Sequence, residues 1–552
     1  MHGGPVRTDG EPLEVCVGYL DLSRLPGKAE ANPLERLSMH QIRSWLLTTL
    51  CMLIMGCGSL PSQEGRIATT ALEDTDDTRL GRAIATHVAT KPGETAVYPL
   101  SEPASAFAAR VLLARDAERS LDLQYYIWHG DQTGYLLFDE VWQAAERGVR
   151  VRMLLDDNST AGLDPTIAAL DSHPNIEVRL YNPVVHRGFR AINFLTDFSR
   201  VNRRMHNKSF TADNQVTIVG GRNVGDEYFG AGSGVVFADL DVMAAGSAVQ
   251  EVSEAFDLFW NSPSAYPAEG LLDKGGPEAA AALKSKVDEV RADSISLTYL
   301  EAVRQSTVVR ALHAGRLPFT AGGAQLLHDD PAKTLDTSGR RDVLLLSDLL
   351  ETVGSPSKSF DLVSPYFVPG DEGTASLVRL ASRGVQVRIL TNSLAATDVS
   401  AVHAGYAKRR KDLLAAGVRL YELKRSALDA TPREGSKPPG SSSASLHAKT
   451  FALDGRRVFV GSFNFDLRSA LLNTELGLLI DSPALAARLA ATFDADIPKV
   501  AYEVRLATDG ESLEWVEQTP SGEKRYNSEP GSGVLLHAWI GLLSILPIEW
   551  LL

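Results

Sequence analysis

The sequence predicts an α/β protein made of two copies of one domain, each a mixed β-sheet flanked by helices. Two observations support this prediction. Segments with strand and helix patterns alternate along the chain, and their order recurs about 240 residues later, which indicates a duplicated domain. The most detailed match joins two polar motifs, RMHNKSFTADNQVTIVGGRN from Arg204 and SLHAKTFALDGRRVFVGSFN from Ser445.

The first copy can be followed segment by segment. Residues 119–131 (RSLDLQYYIWHGD) alternate apolar and polar side chains and predict a strand. Residues 134–148 have helical spacing and end at Gly148, a typical helix cap. Further strands are predicted at 149–157 and 175–183. The second copy repeats this order of strand, helix and two strands over residues 358–373, 374–390 and 417–424.

Length and composition indicate a globular protein of more than one domain. The chain has 552 residues, which is longer than a domain with a single hydrophobic core usually is. Its 44% hydrophobic and 22% charged residues are typical of folded proteins. The net charge of −14 disfavours extensive binding of nucleic acid, which requires many cations to neutralise phosphates. We therefore predict no nucleic-acid partner.

The three cysteines, Cys16, Cys51 and Cys57, all lie near the N-terminus. The rest of the chain can therefore form neither a disulfide framework nor a cysteine metal site. Cys57 ends a segment, residues 39–57, with a basic start, an apolar run and the ending Ile-Met-Gly-Cys. This is the layout of a secretory signal, and its ending resembles the bacterial lipobox, in which the cysteine carries a diacylglycerol.

We therefore predict lipidation of Cys57 and a start of translation at Met39. The protein is then expected in the bacterial cell envelope, as a membrane-anchored lipoprotein that faces the periplasm. The alternative is a short buried helix, because the apolar run is too short to span a bilayer.

The predicted boundaries divide the chain into seven parts. They are a non-native N-terminal extension, a lipoprotein signal, a linker, the first domain, a helical connector, the second domain and an apolar C-terminal tail, at residues 1–38, 39–57, 58–95, 96–265, 266–340, 341–500 and 501–552.

The two polar motifs carry the groups needed for phosphoryl chemistry. In an extended segment the His and Lys of each motif point to the same face. A His can attack phosphorus or donate a proton, while Lys and Asn hold phosphate oxygens. Two copies around one phosphate suit a displacement at a phosphodiester without metal or cofactor. The candidate residues are His206, Lys208, Asn223, His447, Lys449 and Asn464.

Both motifs resemble the HxKxxxxD signature of the phospholipase D superfamily, with its following G-[GS]-x-N. The resemblance covers about residues 100–500. The segment NRRMHNKSFTADNQVTIVGGRNVGDEYF is similar to sequences of a bacterial subgroup, the cardiolipin synthase C type. It implies that the two halves pack about a pseudo-twofold axis, with one active site at their interface. It also implies that His206 is the nucleophile, forming a phosphohistidine, and that His447 is the general acid and base.

The aspartate of the signature is Asp213 in the first motif and Asp454 in the second. These two residues complete the set of catalytic-motif residues. Each lies five residues beyond the Lys, at a predicted turn, so we expect a structural role. A carboxylate downstream of each Asn is better placed to orient a histidine. In the second copy this is Glu475, and in the first it is Asp239, with Asp241 as a competing choice.

Three features favour a phospholipid substrate at a membrane surface. They are the predicted anchor, the apolar C-terminal tail with two Trp residues, and a basic run that could receive headgroup phosphates, formed by Arg187, Arg190, Arg200, Arg203 and Arg204.

The main prediction is a phosphatidyltransferase that makes cardiolipin-type lipid. The alternatives are hydrolysis, by a phospholipase D or less plausibly a nuclease, and a membrane scaffold without catalysis. Because one chain supplies both half-sites, we expect a monomer that needs no protein partner.

Overall fold

The strands of the first domain form one mixed sheet. The computed structural model describes residues 59–88, 93–231, 236–313, 317–335, 344–425, 444–533, 540 and 549. Within these, the first domain contains β1 to β9, at Thr95–Leu100, Ser120–Tyr125, Arg150–Asp156, Ile176–Tyr181, Ser209–Ala212, Val216–Gly220, Val236–Ala238, Asp241–Gly246 and Ala265–Pro267. Their order in the sheet is β1-β8-β6-β5-β2-β3-β4-β9, and only β2, β3 and β4 are mutually parallel.

The second domain repeats this sheet strand for strand. Its strands β10 to β22 lie at Thr320–His328, Ser359–Val363, Phe367–Val368, Gln386–Asn392, Arg419–Leu423, Ala444–Leu446, Thr450–Leu453, Arg457–Gly461, Phe465–Asp466, Leu476–Asp481, Ala501–Leu506, Leu513–Thr519 and Gly522–Tyr526. The order β10-β19-β17-β16-β11-β13-β14-β20 matches the order in the first domain, and β21 and β22 extend it. The predicted fold class is confirmed.

Helices cover the faces of both sheets. In the described ranges they lie at Arg79–Val88, Pro103–Asp116, Gln132–Glu146, Asp164–Asp171, Asn193–Thr196, Phe198–Val201, Asp226–Phe229, Ser247–Trp260, Pro277–Ala292, Ser294–Arg304, Thr307–His313, Leu345–Val353, Gly370–Ser382, Ser400–Ala407, Arg410–Ala415, Leu467–Leu471, Pro483–Ala495 and Ile497–Val500. The helix Gln132–Glu146 shows how local sequence sets its ends. Asp131 accepts a hydrogen bond from the Gly134 amide at its start, and Gly148 follows its end with a positive φ of 92°.

The two domains are joined through their sheets and through a shared core. Strands β1 and β10 pair antiparallel, with Thr95 opposite Gly322. Behind this junction, buried aliphatic side chains of β6 and β8 pack in the same cluster as those of β17 and β19. The strands that end in the G-G/S-x-N motifs are therefore held against each other by a hydrophobic core.

Three predicted segments have more structure than their predicted names imply. In the linker, Arg66 donates to the backbone carbonyls of Asn261, Ser262 and Ala265, so this part is fastened to the first domain. The helical connector ends in a strand, β10. The C-terminal segment begins with β20, β21 and β22, which pair in succession and extend the second sheet.

Several predictions fall outside the described residues. They concern the extension 1–38, the signal 39–57 with Cys57, and most of the apolar run that ends the chain. Among the residues that are described, no helix has both the length and the apolar character needed to cross a membrane.

Candidate active site

The His and Lys of each motif lie just before a central strand of their sheet. His206 and Lys208 precede β5, and His447 and Lys449 precede β16. Lys208 and Lys449 are almost completely buried, as is the whole of the following strand in each domain. The apolar neighbours on the strand thus fix the backbone, and the polar side chains are held at the place where the two domains meet.

Each histidine contacts a carboxylate of the opposite domain. His206 Nδ1 lies 2.8 Å from Glu475 Oε2 and 3.1 Å from Glu475 Oε1. His447 Nδ1 lies 2.6 Å from Asp239 Oδ2. The sequence analysis assigned one carboxylate to each copy, and the structure shows that the pairs cross between the copies. Both pairs therefore exist only when the domains are assembled.

Backbone hydrogen bonds hold the crossed pairs in register. The amide of His206 donates to the carbonyl of Thr474, one residue before Glu475. The amide of His447 donates to the carbonyl of Ala238, one residue before Asp239. In the second case β15 and β7 also form a short parallel ladder across the domain boundary. The side-chain geometry of the site is thus fixed by the main chain of both domains.

Asp241, the competing choice, is committed elsewhere. Its Oδ2 accepts a hydrogen bond at 2.9 Å from Arg110 Nη2, and its Oδ1 accepts one at 3.1 Å from the Arg222 amide. All three residues are fully buried. Asp241 is therefore occupied by two arginines, and of these two aspartates it is Asp239 that contacts His447.

Aromatic rings pack around both imidazoles. The ring of Tyr126 meets His206 edge-on at 5.0 Å between centroids. His447 lies between Phe237, stacked at 5.1 Å, and Tyr228, edge-on at 5.1 Å. These contacts restrict rotation of the imidazoles and exclude water from one side of each ring. The sequence analysis missed all three aromatic residues, because an apolar or aromatic position in a strand is ordinarily read as core.

The buried cations keep both histidines neutral in the free site. Burial, followed by the charges of Lys208 and Lys449, lowers the pKa of His206 well below its ordinary value. Burial and Lys449 also lower the pKa of His447, although Asp239 acts in the opposite direction. Burial lowers the pKa of Lys449 to about 8. An anion bound between the lysines would relieve this repulsion.

The two carboxylates differ in their ionisation. Burial raises the pKa of Glu475 to about 7, with Lys208 and the hydroxyl of Ser462 only partly opposing it. The Ser462 Oγ donates to Glu475 Oε2 at 2.5 Å. Burial would also raise the pKa of Asp239, but its contact with His447 and the charge of Lys449 hold it well below the ordinary range. Asp239 is therefore ionised at neutral pH, whereas Glu475 is near its titration point.

The two motif asparagines are used differently. Asn223 Nδ2 donates to the Tyr228 hydroxyl at 3.0 Å, and Asn223 Oδ1 accepts from the Ile127 amide at 3.1 Å. Asn464 Oδ1 is buried and, within the described residues, has no hydrogen-bond partner. A buried unpaired acceptor is costly, so Asn464 Oδ1 is open to a donor group, while Asn223 holds the tyrosine beside His447.

The motif aspartates lie in turns and bind backbone amides. Asp213 accepts hydrogen bonds from the amides of Glu118, Arg119 and Ser120, at 2.7–3.2 Å. Asp454 does the same for the amides of residues 357–359. Both have left-handed backbone angles, with φ of 51° and 53°. Each thus ties the turn after the motif strand to the start of a neighbouring strand, β2 or β11.

The basic run before the first motif does not form an open cationic surface. Arg187 pairs with Asp157 and Asp164, and Arg190 pairs with the same two carboxylates. Arg200 pairs with Asp197. The remaining two arginines donate to backbone carbonyls, with Arg204 buried. Four of the five arginines therefore have a carboxylate partner within the first domain, and a role of this run in receiving headgroup phosphates stays a prediction.

Comparison with known proteins assigns the family. The model of the family described as "Cardiolipin synthase, PLD-like domain" matches residues 113–260 and 349–497, one match in each domain. Cardiolipin synthase C of Escherichia coli strain K12 is 46% identical over 474 residues, which cover 86% of this chain and 100% of that protein. The chain belongs to the cardiolipin synthase family of phospholipase D-like proteins.

More distant relatives of this cardiolipin synthase family member extend over most of the chain. A cardiolipin synthase of Staphylococcus aureus strain Mu50 is 25% identical over 409 residues, covering 73% of this chain and 67% of that protein. A solved structure of phosphatidylserine synthase from Haemophilus influenzae Rd KW20 has a TM-score of 0.52 at 13% identity, covering 86% of this chain and 100% of that one. At this identity the second comparison shows the fold alone.

Proposed function

We propose that the protein is a phosphatidyltransferase that makes cardiolipin-type phospholipid by two displacements at one phosphorus. The observation that carries the proposal is the pair of crossed contacts, His206 with Glu475 and His447 with Asp239, beside two buried lysines. Two histidines that are separately oriented around one cationic centre are what a covalent transfer at a phosphodiester requires. The family relationship supports phospholipid chemistry of this kind.

In the first displacement His206 is the nucleophile. Its low pKa leaves Nε2 with a free electron pair, and Glu475 holds the proton on Nδ1. Nε2 attacks the phosphorus of a donor phospholipid and the bond to the headgroup oxygen breaks. His447, kept in orientation by ionised Asp239, donates a proton to that oxygen. The headgroup alcohol leaves and the phosphatidyl group remains on His206.

In the second displacement the roles reverse. Neutral His447 accepts the proton of an acceptor hydroxyl, whose oxygen attacks the phosphorus while the bond to His206 Nε2 breaks. If the acceptor is phosphatidylglycerol, the product is cardiolipin. Lys208 and Lys449 stabilise the negative charge on the phosphoryl oxygens in both steps, and the Asn464 amide adds a hydrogen bond. The bound anion also raises the pKa of His447, which prepares it as the acid.

A product assay tests this function. Purified full-length protein is mixed with vesicles that contain radiolabelled phosphatidylglycerol, and the lipid products are separated. Formation of labelled cardiolipin is the expected result. Labelled phosphatidic acid without cardiolipin would establish the hydrolytic alternative, a phospholipase D, and turnover of neither lipid would refute both.

We propose that the protein works as a monomer anchored at the bacterial envelope through an acylated Cys57, facing the periplasm. Both half-sites lie in one chain, and the sequence ending at Cys57 supports the anchor. Radiolabelled palmitate is expected to enter the wild-type protein and not a Cys57→Ser variant, which should leave the membrane fraction. Equal labelling of that variant would disprove the anchor, and a light-scattering mass of two chains would disprove the monomer.

A further inference from the structure

An exposed apolar crown lies on the loop that leads into the first motif. Between β4 and the motif, four large apolar side chains project into solvent: Phe189, Phe194, Leu195 and Phe198, which are 69%, 39%, 85% and 41% exposed. Ordinary surface loops carry polar residues, and large apolar groups gathered in ten residues mark a contact surface. We call these four residues the apolar crown.

The base of this loop is rigid and polar. Buried Asn193 accepts hydrogen bonds from the amides of Val185 and His186, and donates to the carbonyls of His186 and Arg190. Arg200 donates to the Asn182 side chain and to the Pro183 carbonyl, both at 2.7 Å. The polar side chains Asn193 and Arg200 are thus turned toward the protein, while the four apolar side chains of the crown are exposed.

The crown is continuous with the candidate active site. The helix that contains Phe198 ends at Val201, and the chain reaches His206 five residues later. The same stretch contacts the second domain, since Arg468 donates twice to Asn202 at 2.8 Å and Arg203 donates to the carbonyl of Leu471. Leu471, which is 49% exposed, adds an apolar side chain on the second-domain side of this contact.

The segment before the first domain is tied to the base of the crown. Gln63 and Arg66 donate to backbone carbonyls in the loop 261–265. The Ser264 carbonyl of that loop accepts from the Asn182 amide, and Asn182 in turn holds the carbonyls of Arg200 and Arg203.

We propose that the apolar crown inserts into a phospholipid bilayer and seats the His206 half of the active site at the headgroup layer. The inference rests on the proposed function, because a transferase for two membrane lipids must reach headgroups without drawing acyl chains into water. The net charge of −14 disfavours a contact with anionic lipid that depends on electrostatic attraction of the whole chain. Phe and Leu side chains that insert part-way into the bilayer can supply this contact, as they do in interfacial helices.

The first test measures binding by flotation on phosphatidylglycerol–phosphatidylcholine vesicles. Full-length protein with Cys57→Ser is used, so that no acyl chain holds it. Adding Phe189→Ser and Leu195→Ser is expected to lower the vesicle partition coefficient at least about tenfold. The matched control is Ile295→Ser with Leu297→Ser, two side chains of similar exposure, 57% and 56%, on a helix of the connector. Equal binding by the crown and control variants would overturn the proposal.

The second test separates the crown from the chemistry. On vesicles, the crown variant should lose several-fold in rate, whereas on monomeric dihexanoyl phosphatidylglycerol its rate should equal that of wild type. Equal loss on both substrates would contradict the proposal and indicate a damaged site. Loss of a concentration-dependent dimer in the crown variant, with vesicle binding unchanged, would show that a second copy covers this face instead. Inactive wild-type protein would refute the proposed function, while flotation would still decide the role of the crown.

Discussion

His206 and His447 occupy equivalent places in the two domains, yet the groups that contact them differ. His206 faces Glu475, which shares its proton-accepting oxygen with Ser462 and is near its titration point at neutral pH. His447 faces Asp239, which is ionised. A duplicated backbone thus supplies two imidazoles with different environments. The partner that titrates near neutral pH orients the nucleophile, and the fully ionised partner suits the residue that must become an imidazolium.

The small residue in each G-G/S-x-N motif follows from this difference. A Cβ on Gly221 would lie 2.3 Å from Asp239 Oδ1, so this position in the first domain excludes any side chain. The equivalent Ser462 has room, and its hydroxyl reaches Glu475. The sequence alone gives no reason for Gly in one motif and Ser in the other. In the structure, the choice depends on which carboxylate lies beside the motif: Asp239 beside Gly221, or Glu475 beside Ser462.

The largest effects are expected from removing either imidazole. His206→Ala and His447→Ala should each lower the transfer rate at least about 1,000-fold, since one removes the nucleophile and the other the acid and base. Their intermediates separate the roles. With labelled phosphatidyl donor, His447→Ala is expected to leave a trace of acid-labile label on the protein, and His206→Ala none. Label on the His206→Ala protein would reverse the assignment.

A somewhat smaller loss is expected from the carboxylates, with different pH profiles. Glu475→Gln and Asp239→Asn should each lower the rate about 10- to 100-fold, because the amide that replaces the carboxylate is uncharged and a weaker acceptor for the proton on Nδ1. The wild-type rate should rise with pH around 7 as Glu475 ionises, and this limb should be absent in Glu475→Gln and present in Asp239→Asn. The profile of kcat/KM against pH measures both. The same limb in both variants would mean that Glu475 does not govern it.

Glu475→Gln also has an expected effect on stability. In the unfolded chain this carboxyl loses its proton near 4.5, and in the folded protein near 7. Between these values the native state binds more protons, so its free energy of unfolding falls as pH rises. Gln does not ionise and so removes that cost. The difference in Tm between Glu475→Gln and wild type should therefore favour the variant more at pH 8 than at pH 4.5. Parallel Tm curves for the two proteins would contradict the raised pKa.

An intermediate effect is expected at the small motif residues. Gly221→Ala should displace Asp239 from His447 and lower the rate about tenfold or more. Ser462→Gly makes the second motif like the first, and its maximal rate should stay within a few-fold of wild type. The rising limb of its pH profile should shift to higher pH, because Glu475 loses a hydrogen bond that favours its ionised form. Unchanged profiles for both variants would show that the motif residue is independent of the carboxylate.

The smallest effect on chemistry is expected at the motif aspartates. Asp213→Ala leaves three amides without their acceptor and should lower the free energy of unfolding by about 2 kcal/mol or more, measured by urea denaturation. At a temperature where the variant is folded, its rate should be within a few-fold of wild type. A loss as large as that of His206→Ala in a fully folded variant would give the aspartate a catalytic role.

Much of this protein was readable from the chain alone. The repeated order of strands and helices predicted two copies of one mixed sheet, and identical spacing in the two motifs selected the histidines and lysines. These are local patterns, set by side-chain alternation and by turn residues such as Asp213 and Asp454. The strands β10 and β20 were not predicted, since their places in the sheet depend on pairing with strands from distant parts of the chain.

The tertiary structure alone decided which groups meet. His206 and Glu475 are 269 residues apart, and His447 and Asp239 are 208 apart, so their pairing depends on how the domains are packed and not on any local spacing. Contacts within the first domain decided the rest: arginines occupy Asp241 and leave Asp239 for His447, and three arginines of the basic run pair with nearby aspartates. The sequence by itself determined the fold and the reacting residues; the burial and charge around each of them come from the surfaces that the two domains bring together.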